Sequence, residues 1–323
     1  MTNTQKGMLA GFVGNFIFGL SFLFSTTAFN TAKDALSGST VFAGADVPIV
    51  LSIRFVFALV LMTLLIPVLK IKIDFKGKPV WKLFLLGLFQ PVIYFIGESF
   101  GLKMTGIVIS SVLISLIPIM CQVLSAIFLK DCPNFIQVIF SIISVAGVVM
   151  ITVISSEDTG ARTYIGGIFC LAVAVLSAAA FNVLGRSISV TFTPYERTYF
   201  MFIVSAVFFS VYALIAVKGD VSLIVKPLAS GSFITSILYL GGLSSVVAYF
   251  MINYANTYLP IARATIFSNI ITVVSTTAGF IVGEPFRIST VICCIVIVAG
   301  VWGVQHFASP VIEKNTNSDN DKQ

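Results

Sequence analysis

Charged residues are scarce in this chain. Asp, Glu, Lys and Arg make up only 10% of its 323 residues, whereas a soluble domain carries about 25%. A chain that is also 58% hydrophobic cannot cover its surface with groups that face water. The composition therefore excludes a soluble globular protein and predicts an integral membrane protein. The net charge of +6 is then a signal of orientation in the bilayer, and no nucleic-acid partner is expected.

Residues typical of catalytic and metal sites are also few. The chain has one histidine, His306, and its five cysteines lack the spacing of metal ligands, so no metal or cofactor is predicted. A Gly-x-Ser-x-Gly elbow, which positions a nucleophilic serine, is absent. A Walker A loop, which binds nucleoside triphosphates, is absent as well. We therefore do not expect an enzyme.

Long apolar runs dominate what remains. A helix needs about 20 mostly apolar residues to cross a bilayer, and lipid offers the backbone no hydrogen-bond partners, so each such run is predicted to be helical. The fold class predicted is an all-α integral membrane protein with ten transmembrane helices. The predicted spans are residues 8–29, 48–69, 81–101, 107–129, 134–154, 164–185, 197–217, 232–254, 262–282 and 288–307.

The chain also contains a repeat. Residues 87–151 and 242–304 share an apolar pattern in which Tyr94 corresponds to Tyr249 and Gly147 to Gly300. Each half has five spans, an odd number, so the second half enters the membrane from the opposite side. This predicts two inverted five-helix repeats. The predicted units are residues 1–155, residues 156–308 and a polar, disordered cytoplasmic tail, residues 309–323.

Lysine and arginine predict the orientation. If the N-terminus is cytoplasmic, the inner segments hold 12 of these residues and the outer loops hold 6, with Arg54 inside a span. Cytoplasmic loops carry the excess of positive charge in membrane proteins. We therefore expect both termini in the cytoplasm and a multi-pass protein of the plasma membrane.

Short motifs lie near the starts and ends of several predicted spans, and the repeat ends are alike in the two halves. They are Arg54-Phe55 near the start of the second span, Pro118 within the fourth, Gly283-Glu284 before the last, and the repeat ends Ala146-Gly147-Val148 and Ala299-Gly300-Val301. With these motifs the chain resembles the EamA-like transporters of the drug/metabolite transporter (DMT) superfamily. The resemblance implies two tandem five-helix EamA-like repeats and export of small metabolites. The first half departs from the family pattern, with Lys130-Asp131 where Gly-Glu is usual.

Two ionisable residues lie clearly within spans, and such residues are seldom without a role. Arg54 is about 9 Å deep and Glu98 about 5–8 Å deep, both from the outer side, at a rise of 1.5 Å per residue. Their similar depths and opposite charges predict that they approach each other or share a water-filled cavity. Two interpretations stay open: a substrate-binding or gating pair, and a structural pair that joins two helices.

Neutral polar residues complete the predicted substrate pathway. Tyr94 precedes Glu98 by one turn, and Tyr249 precedes Asn253 by one turn, so each pair lies on one helix face. We interpret both pairs as lining a central cavity, with hydrogen bonding between helices as the alternative. The other amide side chains assigned to the pathway are those of Asn15, Gln90, Asn182 and Asn269.

The function predicted is secondary transport of small organic metabolites such as amino acids, in the direction of export and by alternating access. One alternative is a pump for cationic drugs or quaternary ammonium compounds. Small drug exporters of the superfamily use a glutamate in the first helix, and residues 8–29 contain no acid. A channel or a non-transporting assembly protein is the other alternative, although no charged ring or carbonyl filter is evident. The expected partners are a small-molecule substrate and the lipid bilayer; the oligomeric state, monomer included, stays open.

Overall fold

The structure is a computed structural model that describes residues 2–39, 41–129, 134–159, 161–259, 264, 267–283 and 288–307. Every regular element in these ranges is a helix, which confirms the prediction of an all-α protein. Six helical stretches are long and apolar enough to cross a membrane, and four shorter apolar helices accompany them in the same ranges. The predicted tail, residues 309–323, and Glu284 of the Gly-Glu motif lie outside the described residues.

The helices are labelled here in chain order. The first half of the chain contains α1 (Asn3–Ala35), α2 (Asp46–Val68), α3 (Trp81–Gly87), the π-helical segment π1 (Leu88–Ile93), α4 (Tyr94–Ile114), α5 (Ile117–Leu129) and α6 (Phe135–Thr159). The second half contains α7 (Ala161–Ile188), α8 (Pro194–Ala216), α9 (Val221–Val225), a 3-10 turn (Lys226–Ala229), α10 (Gly231–Ile237), the π-helical segment π2 (Leu238–Val247), α11 (Ala248–Tyr258), α12 (Ser268–Ile281) and α13 (Ile288–His306).

Helix α1 is longer than the predicted span 8–29. It begins after a capping box in which the Thr2 side chain accepts from the backbone N–H of Gln5, which satisfies one of the free donors of the first turn. It continues beyond residue 29, and within it the hydroxyls of Thr27 and Thr31 donate to carbonyls four residues earlier, at 3.1 and 2.9 Å. Polar residues are thereby accommodated within the helix, and the predicted outer loop, residues 30–46, is correspondingly shorter.

Backbone breaks separate the predicted third and fourth spans. Gly106 has φ 83° and ψ 176°, a conformation that glycine adopts at low cost, so α4 consists of two helical pieces that meet at this residue. Residues 115–116 then interrupt the helix again, just before Pro118, since proline cannot supply the N–H that a continuous helix requires. The fourth predicted span, residues 107–129, is therefore divided into two pieces.

The two halves pack against each other through small residues. Helix α4 contacts α7, and helix α1 contacts α11. At Gly97 a methyl group would lie 2.5 Å from the carbonyl oxygen of Cys170, and at Gly14 it would lie 3.3 Å from that of Ala248. Small residues let helix backbones approach closely in membranes. This packing positions the polar residues of α1, α4, α7 and α11 around one shared space.

Candidate functional site

A cavity lies between the two halves of the chain. Its empty volume is about 640 Å³, with the open space at its mouth included. Helices α1, α4, α7, α11 and α12, together with π1, supply most of the wall. The lining residues are Gly11, Asn15, Phe18, Phe22, Gln90, Tyr94, Ile117, Ala178, Phe181, Asn182, Ile252, Ala255, Asn256, Ala264, Ser268 and Ile271.

The wall combines aromatic rings with neutral amides. Asn256 donates a hydrogen bond to the side-chain carbonyl of Asn182 at 3.0 Å, and Asn182 donates to the Ala178 carbonyl at 2.9 Å. Asn15 donates to the Gly11 carbonyl at 2.6 Å. The described lining residues include no charged side chain. Such a wall orients a small molecule by hydrogen bonds and holds it between apolar surfaces.

The cavity lies toward one end of the helices. Asn15 is in the first half of α1, Asn182 and Asn256 are near the last residues of α7 and α11, and Ser268 is the first residue of α12. These positions all belong to the end of the molecule at which the N-terminus and the connection between α7 and α8 lie. We call it the N-terminal end. The opposite end holds the last residues of α1 and α12.

Tyr94 connects the cavity wall to a buried charged group. Tyr94 lines the cavity, and its hydroxyl is a hydrogen-bonding partner of the Glu98 carboxylate one turn further along α4. Glu98 is only 4% exposed and Arg54 only 1%, and the two side chains interact electrostatically. The structure therefore brings together the two ionisable residues that the sequence predicts to be neighbours.

Arg54 is held by the second half of the chain. Its Nε donates to the Ser245 hydroxyl and one of its terminal nitrogens donates to the Ser244 hydroxyl, both at 3.0 Å. The guanidinium also lies 4.3 Å from the centre of the Phe95 ring, at the distance of a cation–π contact. Arg54 and Glu98 do not form a contact ion pair; the contact ion pairs among the described residues join other side chains.

Arg54 and Glu98 lie equally far along their helical segments. Arg54 lies eight residues after Asp46, the first residue of α2. Glu98 lies eight residues before the break at Gly106. Each is therefore about 12 Å from the end or break of its segment. The depths in the bilayer, about 9 Å and about 5–8 Å, stay predictions.

Tyr249 and Asn253 lie behind the cavity wall and are not among its lining residues. Tyr249 is fully buried, with the rings of Phe18 and Phe95 against it. Its hydroxyl faces Gln90 without a hydrogen bond of normal geometry. The Asn253 amide donates to the Thr198 hydroxyl of α8 at 2.9 Å. The amide is thus used for packing α11 against α8.

The structure places the predicted pathway residues in different surroundings. Asn15, Gln90, Tyr94 and Asn182 line the cavity, whereas Asn269 does not, although the preceding residue does. Arg54, Glu98 and Tyr249 form a buried polar group behind the wall, and Asn253 is directed to α8.

Sequence reasoning missed Asn256 because the predicted span ended at residue 254, whereas α11 continues to Tyr258. The signal available in the sequence was an asparagine just after the end of the predicted apolar run. It also missed Ser244 and Ser245, the partners of Arg54, since serine is common in membrane helices and its partner is not evident from sequence.

The helices define a multi-pass α-helical membrane protein with a cavity between its two halves. The chain belongs to the EamA-like transporter family, whose profile matches residues 5–153 and 165–305. It is therefore a membrane transporter, as the resemblance at its motifs predicted.

Related proteins can be aligned with most of this chain. The uncharacterized transporter YcxC of Bacillus subtilis (strain 168) is 29% identical over 302 residues, which are 90% of this chain and 91% of that protein. An uncharacterized transporter of Archaeoglobus fulgidus is 30% identical over 257 residues, or 78% and 86% of the two chains. A protein of known crystal structure superposes with a TM-score of 0.66 over 95% of this chain and 99% of that one. Its identity is 14%, so this likeness concerns the fold alone.

Proposed function

We propose that the protein is a secondary transporter that exports small organic metabolites, such as amino acids, across the plasma membrane by alternating access. The observation that supports this most is the position of the cavity. Helices of both halves enclose it, and its polar residues lie toward the N-terminal end of the molecule. A site between two halves, accessible from one end, is what a rocking mechanism requires.

The packing of the helices supports an arrangement of two inverted five-helix repeats. Helix α1 contacts α11 and α12, and helix α7 contacts α4 and α5, so each first helix meets the third and fourth segments of the other half. The segment π1 ends one residue before Tyr94, and π2 ends two residues before Tyr249, so the two π-helical segments lie at nearly equivalent positions. Such correspondence is expected of two repeats related by a twofold axis in the membrane plane.

The charges favour a cytoplasmic N-terminal end. Lys78 and Arg186 lie at this end, and lysines cluster in residues 70–82 between α2 and α3. By the excess of positive charge on cytoplasmic segments, the cavity then faces the cytoplasm. A cavity open to the cytoplasm is the state in which an exporter takes up its substrate.

The wall chemistry favours a metabolite over a cationic drug. A pump for quaternary ammonium compounds is expected to place a carboxylate in contact with its substrate, beside any aromatic rings. The described lining contains aromatic rings but no acid, and Glu98 is behind the wall. Amide groups instead suit substrates that both donate and accept hydrogen bonds.

Exchange in proteoliposomes tests the proposal. Vesicles containing the full chain are loaded with an unlabelled amino-acid mixture and placed in a trace of the labelled mixture. We expect saturable uptake of label in wild type and its loss in Ala178→Trp, because the indole fills the cavity that Ala178 lines. Leu176→Trp is the matched control, since Leu176 is 47% exposed on the same helix. Flux that does not saturate would indicate a pore, and unchanged exchange in Ala178→Trp would exclude this cavity as the pathway.

A further inference from the structure

We propose that Glu98 is a proton-binding site, connected to the cavity by the Tyr94 hydroxyl, and that its occupancy couples transport to the pH gradient. This inference rests on the proposed transport function and adds the coupling ion to it. It concerns a carboxyl group that the cavity wall separates from the substrate space, so it is distinct from the lining amides.

The first support is the connection between Glu98 and the cavity. Tyr94 lines the cavity, and its hydroxyl and the Glu98 carboxylate are hydrogen-bonding partners. A phenolic hydroxyl can donate one hydrogen bond while it accepts another. A proton that enters the cavity in water can therefore reach a carboxylate that is itself only 4% exposed.

The second support is the way Arg54 is held. Two of its nitrogens donate to the hydroxyls of Ser245 and Ser244, and its guanidinium lies against the Phe95 ring. It therefore interacts electrostatically with Glu98 without forming a contact ion pair with it. A buried carboxylate without such a pair is costly unless it takes up a proton, whereas the nearby cation favours the ionised form. These opposing effects make both forms accessible.

The third support is that few charges lie around Glu98 in the part of the chain that the structure describes. The titratable and charged groups that face it are Arg54 on α2, Tyr94 on its own helix and Tyr249 on α11. The other helices that pack against α4 are mainly α1, α7 and α12. Their apolar stretches, residues 8–29, 165–185 and 268–281, contain no Asp, Glu, Lys, Arg or His. Glu98 is thus the carboxyl group to which a proton can bind between α4 and these stretches.

The proposed step is a simple proton exchange. When the cavity is open to the outer side, a hydronium ion gives a proton to the Tyr94 hydroxyl while that hydroxyl gives its own proton to the Glu98 carboxylate, which becomes a neutral carboxylic acid. When the cavity opens to the cytoplasm, the same transfers run in reverse, the proton leaves to water and the carboxylate is restored opposite Arg54. Each O–H bond that breaks is matched by one that forms, and protons move down their gradient into the cell while the substrate moves out against its own.

Infrared titration tests proton binding without a substrate. The full chain in lipid nanodiscs is titrated between about pH 5 and about pH 9, a range in which an unperturbed glutamate is mostly ionised. We expect a carboxylic-acid carbonyl band that changes with pH in wild type and is lost in Glu98→Gln. Asp46→Asn is the control, because Asp46 is ion-paired with Lys103, and it should keep the band. An identical titration in wild type and Glu98→Gln would overturn the inference.

Tyr94→Phe provides a second variant that keeps the carboxyl group. If Glu98→Gln folds poorly, this variant still tests the connection, because it removes the hydroxyl and leaves Glu98 in place. We expect the band to remain and to titrate at a different pH. An unchanged titration midpoint in Tyr94→Phe would show that the hydroxyl plays no part in proton binding.

Coupling is tested in vesicles with the labelled amino-acid mixture. At equal pH on both sides, the exchange rate of each protein is measured first and serves as the reference for its accumulation. With a pH difference imposed, wild type should accumulate label and Glu98→Gln should not. Accumulation that persists in Glu98→Gln would overturn the inference. If wild type exchanges no label at all, the proposed cargo is wrong, whereas the infrared titration still decides whether Glu98 binds a proton.

Discussion

Tyr94 and Glu98 in the first half, and Tyr249 and Asn253 in the second, occupy corresponding positions with different surroundings. Each tyrosine follows a π-helical segment, and each polar residue follows its tyrosine by one turn. The first pair reaches from the cavity wall to Arg54. The second pair is enclosed, with the amide bonded to Thr198. An acid and an amide at equivalent places therefore create one charged site and one neutral site.

The difference shows which contacts join the two halves. The amide of Asn253 finds its partner on α8, within its own half, so a movement of one half against the other leaves this contact intact. The carboxylate of Glu98 depends on Arg54, and Arg54 is held by Ser244 and Ser245 of the other half. The charged site is thus the one that a rocking movement would alter.

The largest effect is expected from the cation. Arg54→Gln leaves Glu98 buried without its counter-charge and two serine hydroxyls without their donor. Removing one partner of a buried ion pair in contact costs about 3–5 kcal/mol. Arg54 and Glu98 are not in contact and Glu98 can take up a proton, so we expect a loss below that range, seen as a lower folded yield and a lower thermal unfolding temperature. The double variant with Glu98→Gln should recover most of that loss, since neither charge remains. Thermal unfolding in detergent, followed by tryptophan fluorescence, measures the unfolding temperature of the single and the double variant.

The control for this comparison is Glu98→Gln alone, which should destabilise the protein less than Arg54→Gln. In Glu98→Gln the buried Arg54 cation keeps its hydrogen bonds to two serines. In Arg54→Gln the buried Glu98 carboxylate keeps only Tyr94 as a partner. If Arg54→Gln were as stable as wild type, the charge pair would contribute nothing to the joining of the halves.

The next effect compares two helix contacts that correspond in the two halves. Gly97→Ala places a methyl group 2.5 Å from the Cys170 carbonyl oxygen, whereas Gly14→Ala places one 3.3 Å from that of Ala248. Overpacking costs about 1–3 kcal/mol, and the tighter contact should reach the upper part of this range. We expect Gly14→Ala to unfold at a temperature closer to wild type. Equal losses in the two variants would mean that the α4–α7 and α1–α11 contacts are equally adaptable.

Much of the fold could be predicted from the sequence because membrane helices follow from apolar length alone. Helices begin within a few residues of most predicted spans, as with α2 at Asp46 for a predicted start at 48. The errors are at polar ends: α1 continues past residue 29, and threonine hydroxyls bond to its own carbonyls. The hydrophobic periodicity of a sequence does not show such hydrogen bonds between a side chain and its own helix.

The candidate site was predictable only in part. Charge and depth predicted the proximity of Arg54 and Glu98, because two opposite charges at one level of a membrane have few other partners. The environment of Asn253 was not predictable, since the sequence does not show that Thr198 lies beside it. Which face of a helix meets the cavity depends on helix rotation, and uniform apolar composition leaves that rotation undetermined.

A smaller effect is expected from the neutral site of the second half. In Asn253→Leu the hydrogen bond to Thr198 is lost, but Thr198 keeps its own bond to the Pro194 carbonyl at 2.8 Å. The side-chain oxygen of Asn253, which lacks a partner, is removed at the same time. One net hydrogen bond corresponds to about 1 kcal/mol, so unfolding should shift slightly and transport per folded molecule should persist. Loss of transport at normal yield would place Asn253 in the pathway and remove the contrast with Glu98.

The smallest effect on stability, and a distinct effect on transport, is expected at the amides of the cavity wall. Asn182 accepts a hydrogen bond from Asn256 at 3.0 Å beside a space that water can enter, so water replaces the lost partner in Asn256→Ala. The free energy of unfolding should therefore change by less than about 1 kcal/mol. A substrate that hydrogen-bonds to these amides would lose a comparable interaction, and about 1.4 kcal/mol corresponds to a tenfold change in affinity.

Concentration-dependent exchange of the labelled amino-acid mixture separates these two effects. We expect half-saturation to rise several-fold in Asn256→Ala and in Asn182→Ala, and the double variant to be little worse than either, because the two amides act as one hydrogen-bonded unit. Additive losses in the double variant would show that each amide contacts the substrate separately. Unchanged half-saturation in all three would leave Tyr94 and Gln90 as the polar contacts of the wall, and would move substrate recognition toward the charged site of the first half.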